Sequence, residues 1–157
     1  MKTKYFLFYA VLIFCFIVFG SATAFAQTQK LTVGNIKSTD YEGCGCSFQT
    51  LAEAKKPRSQ KIVFWSEDYR MAILNINGKD TEFKLTKKGK LPAKEKIGSR
   101  HTDVYAANGI TVKVDYLTTR VCLKGEEECE ATSYDVTITA SKGDIKTIVK
   151  TKGACGC

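Results

Sequence analysis

The chain has 157 residues, 44% of them hydrophobic and 25% charged, with a formal net charge of +8 at pH 7. That length supports one domain with a real core and leaves no room for two sizeable ones. The positive balance favours acidic partners such as anionic lipid or polyanionic wall polymers. Nucleic acid is disfavoured by the export signal described next.

Lys2 and Lys4 form a short basic start, residues 6–19 are an almost unbroken apolar run, and Ala24-Phe25-Ala26 is a small-x-small cleavage site. These are the three parts of a signal peptide, so residues 1–26 are expected to be removed and the mature chain to begin at Gln27. An uncleaved membrane helix would need roughly 20 apolar residues and no processing site. Cys15 follows the large Phe14, not the small residue a lipidated cysteine requires, so it is assigned to the discarded leader. Cleavage leaves residues 27–157 as a single domain and, with Lys2 and Lys4 gone, a formal charge of +6. The expected address is the bacterial periplasm or the exterior, with no transmembrane segment after processing.

Six cysteines remain: Cys44, Cys46, Cys122, Cys129, Cys155 and Cys157. An even count in an exported chain reads as disulfides. Cys122 and Cys129 flank a short polar loop between two strand patterns and form the natural local pair. Cys44-Gly45-Cys46 and Cys155-Gly156-Cys157 then join each other by two bridges, in an order the sequence leaves open. Their central glycines are expected to let two backbones approach closely. The rival use of such thiols is soft-metal binding, but one residue between paired cysteines is tight for structural zinc. No metal or other cofactor is expected.

Taken in order, Leu31, Val33 and Ile36 suggest a first strand. Thr50 followed by Glu53 has the form of a capping box, with Pro57 to end a helical turn or two. From Lys61 the pattern is β. Residues 62–65, 71–76 and 81–86 are strand-like, and Asn77-Gly78 between the last two is a strong hairpin signal. Residues 87–102 are basic and irregular, a candidate binding loop. Residues 103–107 and 110–116 form a second hairpin about Asn108-Gly109. Residues 134–140 and 145–150 form a third, about residues 141–144. Seven or eight strands joined by hairpins predict an all-β fold, a small antiparallel meander closed as a barrel or folded as a sandwich and stapled by disulfides. Sequential hairpins favour an up-and-down order, and closure would remove exposed edges.

Catalytic constellations are not evident, and no enzymatic activity is expected. His101, the single histidine, lies in Ser99-Arg100-His101-Thr102-Asp103, but triad members normally come from separate elements. It reads as a surface-loop residue. Glu126-Glu127-Glu128 with Glu130 is the one acidic concentration, read as a solubilising loop tip, with binding of a basic partner or Ca²⁺ by a disulfide-held loop as the alternative. Phe64, Trp65, Phe83, Tyr105, Tyr116 and Tyr134 fall at strand positions and read as core.

The run Ala72-Ile73-Leu74-Asn75-Ile76-Asn77-Gly78-Lys79, with Gly98-Ser99-Arg100 and Tyr105 before Asn108-Gly109, resembles the membrane-bound C-type lysozyme inhibitors of bacteria. The likeness spans about residues 70–116 of this sequence. It implies a small exported β-barrel with a disulfide, in which a loop carrying Ser, Gly, a nearby Lys or Arg and Tyr enters the lysozyme cleft. Ser99, Arg100 and Tyr105 would then be the contact positions. The serine follows its glycine here, and the cysteine clasp and acidic loop are additional. The expected role is non-enzymatic binding or structural support in the bacterial envelope. The alternatives are inhibition of a lysozyme-like wall hydrolase, or soft-metal binding by the Cys-Gly-Cys units. The candidate partner-binding loop is Ser99, Arg100, His101 and Tyr105, facing a protein or an anionic envelope component.

Overall fold

The computed structural model of the chain describes residues 30–38, 43–67, 69–122, 126 and 129–156. The expected leader, Cys157, Glu127 and Glu128 lie outside them. Strand alternation builds the described residues into nine strands: β1 (Val33–Gly34), β2 (Gly45–Thr50), β3 (Phe64–Glu67), β4 (Met71–Ile76), β5 (Lys79–Lys87), β6 (Arg100–Ala107), β7 (Ile110–Arg120), β8 (Ala131–Lys142) and β9 (Ile145–Gly156). From β2 to β9 each strand pairs antiparallel with the next, and β9 pairs antiparallel with β2. The result is an eight-stranded up-and-down barrel, with β1 added against β4. The barrel, and not the sandwich, is the form the meander takes.

The core follows from period-two patterning. On β7, Ile110, Val112, Val114, Tyr116 and Thr118 turn inward, and on β8 so do Tyr134, Val136, Ile138 and Ala140. Between them Lys113 and Asp115 face out and pair at 2.8 Å. Aromatic rings fill the centre. Phe48 stacks on Phe64 at 5.2 Å, and Tyr105 meets Phe64 edge-on at 5.9 Å. Trp65 departs from the core expectation. Phe64 and Ser66 take the inward positions of β3, so Trp65 faces an outer groove with Ile36 and Ile62.

Both Asn-Gly turns form as expected, with positive φ at Asn77 and Gly78 and at Asn108 and Gly109. The capping-box segment forms one short 3-10 turn, Glu53–Lys55, whose Glu53 N–H donates to Thr50 Oγ1 at 3.2 Å. Several strands are longer than their apolar alternation indicated. β6 starts at Arg100, β7 reaches Arg120, and β9 runs through Gly156. The extensions place Thr118, Thr151 and Cys155 inside the barrel, and β2, a strand the alternation did not indicate, places Cys46 there; these side chains carry no Val/Ile signal although the backbone ladder continues.

The clasp is therefore part of the sheet. Cys46 lies directly opposite Cys155 on the β2–β9 ladder and is bonded to it, across a sequence separation of 109. Gly45 lies opposite Gly156. A Cβ at Gly45 would sit 2.2 Å from Ser66 O, and one at Gly156 would sit 2.2 Å from Glu130 O. Each glycine thus makes room for the strand on its far side, not for the other glycine. Cys122 and Cys129 are bonded as expected. Cys44 is also disulfide-bonded, and its partner is not among the described residues.

The N-terminal segment covers one end of the barrel. Leu31 is buried there, Thr147 Oγ1 donates to Leu31 O, and Thr32 N–H donates to Asn77 Oδ1 at 2.8 Å. Asp80 ties down the next turn, accepting from Lys37 N–H at 2.8 Å, Ser38 N–H at 2.9 Å and Asn75 Nδ2 at 2.6 Å. Burial pushes the Asp80 carboxyl upward, but these three bonds and the Lys37 charge together hold it below its ordinary value.

Two outcomes are expected in denaturant titrations. Reducing all disulfides should lower stability by about 4 kcal/mol or more, because a loop of this length costs about 4–5 kcal/mol to close, whereas Cys122→Ser with Cys129→Ser should cost only about 2 kcal/mol. A loss below about 2 kcal/mol on full reduction would show that the ladder alone holds the seam. Separately, Asp80→Ala should cost about 1–2 kcal/mol and expose residues 30–38 to protease before the barrel unfolds.

Candidate functional site

The end of the barrel opposite Leu31 holds a cavity of about 170 Å³. Strands β6, β7 and β8 supply its wall through their inward positions. His101 and Asp103 come from β6, Tyr116 from β7, and Thr132 and Tyr134 from β8. His101 lies opposite Tyr116 across the β6–β7 ladder, and their rings stack at 4.1 Å and 8°. Tyr134 stands edge-on to both, at 5.9 and 5.5 Å. Cys155, bonded to Cys46 at the seam, also lines the cavity.

The segment between β5 and β6 folds back over this mouth. Gly89 N–H donates to Asp103 Oδ1 at 2.8 Å. A side chain at residue 89 would put its Cβ 2.6 Å from Thr102 O, so glycine is what lets the loop reach the buried carboxylate. Thr118 Oγ1 donates to Glu95 Oε1 at 2.6 Å, which turns the single carboxylate of the loop inward. Gly98 N–H donates to Thr118 O at 2.8 Å, and Thr118 N–H donates to Ser99 O at 2.9 Å. Lys88 Nζ lies 5.6 Å from the centre of the Tyr69 ring at the rim. The irregular stretch is thus a fitted cover on the barrel.

Charge is layered with depth. Asp103 is 3% exposed, while Lys87, Lys88, Lys90, Lys94, Lys96 and Arg100 are all exposed around the opening. Burial pushes the His101 imidazolium down, with Lys88 adding to the effect and the Asp103 and Glu95 carboxylates opposing it. Burial pushes the Tyr105 phenol up to about 12, and raises those of Tyr116 and Tyr134 further. His101 Nδ1, Tyr105 Oη and Tyr116 Oη are buried without a hydrogen-bond partner. Tyr105 Oη lies near Ser66 and Tyr116 without completing a bond to either.

The expected loop residues divide between surface and interior. Arg100 is exposed, and Ser99 sits in the turn with its Oγ accepting from Lys96 N–H at 3.1 Å. His101 belongs to a strand and not to a surface loop, and Tyr105 is fully buried. The reason is register: β6 begins three residues earlier than the apolar pattern indicated, and stepping back by twos from Tyr105 through Asp103 puts His101 inside. That same step was the available signal for Asp103. Glu95 and Tyr69 carried none, because they reach the mouth through loop folding. At the edge of the acidic run, Glu126 pairs with Arg120. Among the described residues no three His, Cys, Asp or Glu side chains converge as a metal site, and no helix is long and apolar enough to cross a membrane.

With the barrel and its mouth in view, the chain was compared with known proteins: no family model, curated protein or solved structure matches it.

The buried state of His101 has a measurable consequence. Its folded-state value lies below the ordinary 6.5, so the unfolded chain binds the proton more readily. The stability His101 contributes is full above the unfolded value and declines as pH falls from there through the folded one. An NMR titration should place the His101 midpoint below 6.5, and His101→Gln should flatten the corresponding fall in stability. A midpoint at or above the ordinary value would mean that the carboxylates outweigh burial.

Proposed function

We propose that this protein is a non-enzymatic binding protein of the bacterial envelope that holds a compact polar ligand in the mouth of its barrel. The observation carrying this reading is the 170 Å³ cavity that inward side chains of β6, β7 and β8 line at one end of the barrel. An eight-stranded barrel has just enough interior either to be filled or to hold one small ligand. Here the filling gives way to a pocket of aromatic faces and buried polar groups, the general make-up of a ligand site. Disulfide bonding of Cys44, Cys46, Cys122, Cys129 and Cys155 supports this reading over soft-metal binding, which needs free thiolates.

The outward basic face of residues 87–100 favours a second role, contact with an anionic envelope component or with a wall hydrolase. Its lysines point to solvent while Glu95 is drawn inward. In such a contact Ser99 and Arg100 are reachable, and the fully buried Tyr105 ring is not. Lysozyme activity unchanged by excess protein would remove the hydrolase version.

The binding reading is tested by filling the mouth. Small polar compounds that bind should raise the melting temperature and shift the His101 and Tyr116 ring resonances. Thr132→Phe, which fills the cavity from its wall, should abolish those shifts while leaving the fold intact. Shifts that survive Thr132→Phe would place the site elsewhere.

A further inference from the structure

We infer that the ligand of the mouth is a compact zwitterion, of the kind a free α-amino acid presents, bound with its ammonium end inward and its carboxylate end at the rim. The inference rests on the mouth being the binding site. It adds the chemical class of the ligand and its direction of entry.

The charge layering carries it. The deepest charged group of the cavity is the Asp103 carboxylate, and Glu95 is the second acid, half-buried above Thr118. Asp103 Oδ1 accepts one N–H, from Gly89, and an ionised carboxylate has about four acceptor sites. Beside it stand the rings of Tyr116 and Tyr134, and the face of such a ring attracts an ammonium group. The mouth already holds one ammonium against an aromatic ring, Lys88 over Tyr69. His101 Nδ1, on a lining side chain, is buried without a partner. A primary ammonium carries three donors for such a wall, where a quaternary one carries none.

The rim has the opposite sign. A simple cation entering the mouth would pass Lys88, which lines the opening, beside the other exposed cations of the covering segment, all of which oppose it. A simple anion would meet Lys88 favourably but end against two carboxylates. A ligand with both charges, ammonium leading and acid trailing, is complementary at both depths. The volume sets the size, since an engineered apolar cavity of about 150 Å³ accepts benzene. A cavity of 170 Å³ therefore suits an amino acid with a side chain no larger than that of leucine.

The experiment is calorimetry on the oxidised mature chain with three matched probes: leucine, isoamylamine, which lacks the acid, and isocaproate, which lacks the amine. Leucine should bind most tightly, isoamylamine about tenfold more weakly, and isocaproate most weakly. Asp103→Asn keeps an acceptor for Gly89 N–H and should weaken leucine and isoamylamine alike by about tenfold or more. Lys88→Gln, an exposed change, should weaken leucine toward the level of isoamylamine, while isoamylamine, relieved of one opposing charge, should bind no more weakly than before. Tightest binding by isocaproate, or indifference of leucine to Asp103→Asn, overturns the inference. Isoamyl alcohol separates the two layers of the argument. If it matches leucine and is blocked by Thr132→Phe, the mouth is a site but not for a zwitterion. If none of the four probes shifts the His101 or Tyr116 resonances, both readings fall.

Discussion

Closure of β9 on β2 is the constraint on which the rest of this structure depends. Every other neighbouring pair in the barrel is joined by a connection within the chain order β2 to β9, and only this ladder turns a curved sheet into a ring. The ring is what gives the side chains an inside. It also removes the unpaired edges that an open sheet of this length would present. The Cys46–Cys155 bond sits on that ladder, so the covalent link and the closing hydrogen bonds act on the same few residues. Hydrophobic filling by Phe48, Phe64 and Phe83 supplies the burial; Phe48 and Phe64 already face each other on the β2–β3 ladder, and closure brings Phe48 edge-on to Tyr116 of β7.

Much of this was legible in the residues. Asn77-Gly78 and Asn108-Gly109 demanded tight hairpins, and the alternation at Ile110, Val112 and Val114 assigned an inner and an outer face. Cysteine arithmetic paired Cys122 with Cys129 and set one Cys-Gly-Cys unit against the other. The strand ends toward the mouth were not legible, because inward positions there are taken by Thr, Asp, His and Cys. These residues satisfy the pleat without announcing it. Trp65 misled for the complementary reason: a large apolar residue at a strand position can pack on an outer groove beside Ile36 and Ile62. The choice between barrel and sandwich was open because it turns on one ladder between residues more than a hundred positions apart.

The candidate site was legible only in pieces. His101 was visible as the single histidine, and Tyr105, Tyr116 and Tyr134 as strand aromatics. What joins them is the cross-strand register of β6, β7 and β8, which sets a histidine ring face to face with a tyrosine. Loop closure was harder still to foresee. A basic segment with Gly89 and Gly98 looks like a solvated excursion, yet Gly89, Glu95 and Gly98 each contact the barrel through a hydrogen bond. These bonds fasten the covering segment to the barrel at three of its residues.

The position of β9 in the chain has a consequence for how the molecule is made. The hairpins from β3 to β8 are local and need only their own turns, so they can form as the chain emerges. The partner of β2 is drawn from residues 151–156, and until these are present the first barrel strand has one open edge and the interior has no wall on that side. Such a topology is expected to commit late: contacts of short sequence separation are the less costly ones to form, and the one long-range pairing closes the ring. A chain halted before β9 would lack the closing ladder and, with it, the cavity wall at Cys155, which belongs to the same stretch.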